Sequence, residues 1–166
     1  HGYKYMKLHV LANHGNSQYT TIDEFSVDSA VISTFSHDHP SPFMTTLSGF
    51  ADGNPDADSY IVNGNSPWNV FIEFTEDLPT SFVSIFYNKG NSTRGWRNVN
   101  MYVSNDNTNW SLVKEIRNLT DNLTNYADAD RIDVELPADI LPVVVPTPIP
   151  TTQSLKWTPG VSETPV

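Results

Sequence analysis

Cysteine is absent from the 166 residues, so disulfide staples, thiolate metal centres and a cysteine nucleophile are excluded. Positive charge is scarce as well. Nine Lys and Arg face 19 Asp and Glu, a formal net charge of -10, which repels phosphate backbones and anionic headgroups and argues against nucleic-acid or membrane-surface binding. Charged residues make up only 17%, below the roughly 25% of an ordinary domain. No apolar run reaches the roughly 18 residues of a membrane-crossing helix, so no membrane insertion is expected. The chain opens His1-Gly2 without a Met or an apolar leader core, which reads as a removed leader or an expression remnant. What fills the space left by charge is sixteen each of Asn, Ser and Thr. Their side chains compete for backbone hydrogen bonds and favour turns and strands over helices.

Period-2 alternation is the dominant pattern. Met6, Leu8 and Val10 share one face of an opening strand, with Lys7 and His9 on the other. Tyr19 to Val27 reads as one further extended stretch. Alternation resumes at Trp68, Val70, Ile72 and Phe74, continues through the apolar run Phe82 to Tyr87, and returns at Val99, Met101 and Val103 and at Ile132, Val134 and Leu136. Residues Trp110 to Leu119 fit a helix or a strand equally well. Short strands between turn signals, with no helix pair, predict an all-β antiparallel sandwich or barrel. Composition changes at Pro137, and from that residue onward fall seven of the 12 prolines. The expected division is therefore a β domain over 1–136 and an extended, proline-rich arm over 137–166 that docks on a neighbouring subunit or stays free.

Several residue groups carry chemistry. Asp52, Asn54, Asp56 and Asp58 alternate within seven residues, a density of hard oxygen ligands that suits Ca²⁺ or, more blandly, a solvated acidic turn. His37-Asp38-His39 reads as an exposed loop or as part of a zinc site needing further ligands. Arg94-Gly95-Trp96-Arg97 sets a flat ring between two guanidinium groups. Trp96 then serves as a glycan-stacking platform, as part of a protein interface, or as a core residue folded back inward. No Gly-X-Ser-X-Gly, phosphate loop or His-Glu-X-X-His occurs, so a non-catalytic protein is expected.

The run Ser66-Pro67-Trp68 to Phe74, then Val83-Ser84-Ile85, then Val99 to Val103 with Ser104-Asn105-Asp106-Asn107-Thr108-Asn109-Trp110, resembles the discoidin family. These are the coagulation-factor C-type or galactose-binding-like domains, close to family 32 carbohydrate-binding modules. Phe50 to Asn54 is similar to the family's Phe-Asp-Gly loop. Tyr3 to Leu8, with Ala12 to Ser17 and Thr21 to Phe25, looks like the strand pair that usually closes these domains, here placed first. That permuted order resembles copies in bacteriophage structural proteins. The resemblance covers about residues 3–117 and implies an eight-stranded jelly roll that binds rather than catalyses. It implies core positions for Trp68 and Trp110, and a structural calcium held by the 52–58 loop with Glu24. It also implies a virion or extracellular assembly component meeting neighbouring subunits through the arm and cell-surface glycans through its loops, where His37 and His39 would touch sugar hydroxyls, or alternatively a secreted carbohydrate-binding module. One departure weighs against a galactose-type site: sugar-binding relatives carry an Arg in the strand that here reads Ile85-Phe86-Tyr87.

Overall fold

Alternating apolar residues on the opening strand force a choice of faces, and the computed structural model shows which face goes inward. It describes residues 2–40, 50–54, 60–63, 67–90 and 93–138. Among these residues ten strands form in chain order: β1 Tyr5–Asn13, β2 Tyr19–Ile22, β3 Glu24–Val27, β4 Ile32–His37, β5 Tyr60–Asn63, β6 Trp68–Phe74, β7 Ser81–Tyr87, β8 Trp96–Ser104, β9 Ser111–Ile116 and β10 Asp130–Glu135. They make a five-stranded sheet in the order β4-β6-β1-β8-β9, a three-stranded sheet β10-β7-β3 and a two-stranded ladder β2-β5. Every ladder is antiparallel. The architecture is nearly all β and consistent with a β-sandwich, as the alternation predicts. Among the described residues, no helix is long and apolar enough to cross a membrane.

The core is read directly from register. Met6, Leu8 and Val10 of β1 stand opposite Ile72, Val70 and Trp68 of β6 on one side. On the other side they stand opposite Val103, Met101 and Val99 of β8. These rows form the inner face of the large sheet. Phe25, Val27, Phe82, Phe86 and Val134 of the small sheet join them in one hydrophobic cluster. Burying a side chain of this size contributes about 1.5–3 kcal/mol each, which is why the pattern fixes the faces.

Two expectations change. Tyr19 to Val27 is two strands in different ladders, broken at Asp23, whose N–H donates to Tyr87 O and whose carboxylate accepts the Lys89 N–H. Within Trp110 to Leu119 the open choice resolves to a strand over Ser111–Ile116, because the edge of β8 takes those residues into its ladder. The arm expected from 137 onward lies outside the described residues beyond Ala138. Its lead is fixed where Leu136 N–H donates to Thr80 O at 2.8 Å.

Candidate functional site

The oxygen-rich loop and the β3 carboxylate meet across 29 residues of chain. Glu24 opens β3 and is only 3% exposed. Its Oε2 accepts the Gly53 N–H at 3.0 Å, while its buried Oε1 has no hydrogen-bond partner. Asp52 lies beside it, turned by its own bond from the Asn54 N–H at 2.8 Å. Gly53 sits at φ +81, a left-handed backbone that a residue with a Cβ adopts reluctantly. The two carboxylates line a cavity of about 300 Å³ together with Ser26, Ala30 and Ala51. Burial, opposed by the Gly53 N–H and reinforced by Asp52, pushes the Glu24 carboxyl up to about 8.

Below about pH 8 the Glu24 carboxyl keeps its proton; once ionised, its buried oxygen is costly unless a cation meets it. The donors are hard oxygens, the kind calcium takes, and Glu24 and Asp52 are the two described carboxylates that would hold such an ion and gain positive charge from it. Asp56 and Asp58 lie outside the described residues, and Asn54 is exposed. Among the described residues, no group of three or more His, Asp or Glu is gathered for a metal.

His37 and His39 both stand edge-on to Trp68, with ring centroids 6.2 and 6.0 Å away. The His39 N–H donates to His37 Nδ1 at 3.0 Å, which places the His37 proton on Nε2. Desolvation, reinforced by His39, holds the His37 imidazole below its ordinary pKa. Asp38 turns outward and clamps Asn69 through both oxygens, at 2.7 Å to the main-chain N–H and 2.8 Å to Nδ2. Partial burial pushes its carboxyl up, but the Asn69 donors outweigh it and leave the pKa below the usual range. Asn69 Oδ1 in turn meets His9 Nδ1 at 2.8 Å.

The Arg94-Gly95-Trp96-Arg97 segment does not present a tryptophan between two cations. Trp96 is fully buried and packs on Trp68 at 5.6 Å, Phe50 at 5.9 Å and Phe86 at 6.4 Å, so the core reading holds and stacking on a sugar does not. Arg94 lies over the Tyr19 ring at 4.8 Å, and Arg97 Nε donates to Asn118 Oδ1 at 3.3 Å on the surface. Gly95 is required by close approach. A Cβ there would stand 2.5 Å from Asp121 Oδ1 and 2.8 Å from Asn88 Cγ. Gly95→Ala is therefore expected to cost about 2–3 kcal/mol, read as a lowered urea midpoint with unchanged slope. An unchanged midpoint would show that the 88–95 loop gives way freely.

Trp68 is buried as expected, but Trp110 is not a core residue. It is half-buried on the outer face of the large sheet, against Phe71 at 6.2 Å and under Lys7 Nζ at 5.1 Å. With Tyr102 and Tyr5 it makes an outward aromatic surface that the motif reading passed over. The signal was present: Phe71 between Val70 and Ile72, and Tyr102 between Met101 and Val103, must point away from the core.

No protein-family model, no curated protein and no solved structure matches this chain.

Proposed function

We propose that the protein is a non-catalytic interaction module: a jelly-roll β-sandwich braced by one structural calcium ion, serving as an outward-facing part of a virion or other extracellular assembly. The observation that carries this is how the carboxylates are used. Asp23, Asp38, Asp106, Asp121 and Asp130 each accept main-chain N–H groups at loops: Lys89; Asn69; Thr108 and Asn109; Thr93; and Thr120, respectively. Acids spent in this way make rigid loops rather than proton-transfer pairs, and rigid loops are what recognition requires. At Asp106 the Asn109 N–H, the Asn109 side chain, Thr108 and Ser104 together hold the carboxyl far below its ordinary range. The sparse charge and the Asn, Ser and Thr surface support an extracellular setting, and the proline-rich arm supports contact with neighbouring subunits.

A secreted carbohydrate-binding module is the second reading, favoured by the grouping of His37, His39 and Asp38 around Trp68 and Asn69 at one end of β4 and β6. Two measurements test these readings. The purified chain is expected to turn over nothing on a panel of glycosides, esters and phosphate esters. Heat-labile turnover above the blank would overturn the interaction reading. On a glycan array, retention that disappears in His37→Ala with an unchanged melting temperature would favour the carbohydrate module, and a silent array the assembly part.

A further inference from the structure

The outer face of the five-stranded sheet carries a continuous aromatic strip. Phe71, Lys7 and Tyr102 are direct register partners across β6, β1 and β8. Leu112, 46% exposed, extends the row on β9. Lys7 Nζ sits 4.6 Å from the Tyr102 centroid and 5.1 Å from that of Trp110, holding both rings in place. Tyr5 and Phe71 also line a depression of about 150 Å³, with Ser36, Glu73 and Asn107 around it. The strip thus combines half-buried rings, fixed by packing, with hydrogen-bond donors at Lys7 Nζ, Tyr102 Oη and Trp110 Nε1. Among the described residues, its rings are half-buried and Leu112 is exposed.

We propose that this strip is the docking site for residues 140–150 of a second copy of the chain, bound as a polyproline II helix. The inference rests on the assembly reading above and names the surface that reading needs. Chemistry matches first. Ile140 to Pro150 contains no charged residue and four prolines. A three-residue period lines up Pro142, Val145 and Pro148 on one edge and Val143, Pro146 and Ile149 on the next. Such ridges seat between aromatic rings, and the carbonyls, which have no internal partner in this helix, need donors of the kind the strip provides.

The exit of the chain selects a second copy. Leu136 is tied to Thr80, Leu78 N–H donates to Tyr3 O, and Lys4 N–H donates to Ser104 O. The chain therefore leaves at the end of the sandwich where Tyr5 and the turn before Trp110 lie. From Leu136 to Ile140 there are four steps along the chain, one of them through Pro137, a span of at most about 14 Å. The strip faces away from the sheet that carries β10, and sheets in a sandwich lie about 10 Å apart. A lead of that reach is short for wrapping around its own domain, which favours a neighbouring copy as the source of the segment.

Sedimentation velocity of the full chain over a concentration series tests the assembly, and titration with a synthetic peptide of residues 138–153 tests the site. The expected result is self-association that weakens at least tenfold in Trp110→Ala, in Val145→Asp and on adding excess peptide, with melting temperatures unchanged in Val145→Asp. The arm variant lies outside the core, so it stays informative if Trp110→Ala unfolds. Association indifferent to both substitutions and to peptide overturns the site and leaves the assembly reading standing. A chain that binds the peptide through the strip yet stays monomeric overturns the second copy as occupant.

Discussion

Trp96→Ala is expected to lower the stability of the domain by about 3–5 kcal/mol, the range for emptying a fully buried aromatic site. In a domain of this size that is a fall of roughly 10–15 °C in melting temperature. The ring is fully buried and closes the space between Trp68, Phe50 and Phe86. Those three neighbours are themselves buried and held by their own strands or turns, so the cavity collapses only partly. Trp96→Phe fills most of the volume and should cost less than half as much. Trp110→Ala supplies the comparison, because half-buried surface is lost without a sealed void, and about 1–2 kcal/mol is expected. Thermal melts of the three variants check the order. A Trp96→Ala protein that melts with the wild type would return the residue to the surface and with it the stacking role.

The contrast between these two tryptophans shows what the sequence carries and what it hides. Strict alternation places Trp110, three residues before the inward-leaning Val113, on the outer face, and that is where it lies. The same rule applied backward from Val99 places Trp96 outward too, yet it is buried. The ladder between β1 and β8 shifts register between Val10 and Ala12, and again between Ala12 and Asn13, so the pleat slips by one residue before Trp96 is reached. A bulge depends on both strands at once, and no local pattern announces it. The alternating β1, β6 and β8 were legible because burial of one face decides them. The break at Asp23 was not, since it follows from bonds to Tyr87 and Lys89 more than sixty residues away. The oxygen-rich loop was legible as composition and its pairing with Glu24 only through the resemblance, because the approach itself is a property of the closed fold.

That approach sets the second large effect. In metal-free solution the chain is expected to lose stability as pH rises from about 4.5 to about 8. Burial raises the Glu24 carboxyl in the folded state to about 8 from 4.5, so the folded protein keeps a proton that the unfolded chain has released. The favourable contribution is complete below the unfolded value and is gone above the folded one. At about 1.36 kcal/mol per unit, the shift sets an upper bound of about 5 kcal/mol. His37, held low by desolvation and His39, acts with the opposite sign as pH falls. The quantity to measure is therefore the difference between wild type and Glu24→Gln, which keeps the shape and removes the titration. Calcium should reverse the loss at pH 8, because a cation at the bare Oε1 rewards the ionised form, and stabilisation grows with the ratio of free ion to dissociation constant. A chelator should restore the metal-free melt. Glu24→Gln should be flatter between pH 5 and 8, at least as stable as metal-free wild type at pH 8, and indifferent to calcium. Equal stabilisation of both proteins by calcium would place the ion elsewhere, and a wild-type pH profile no steeper than that of Glu24→Gln would mean that the carboxylate is already satisfied within the fold.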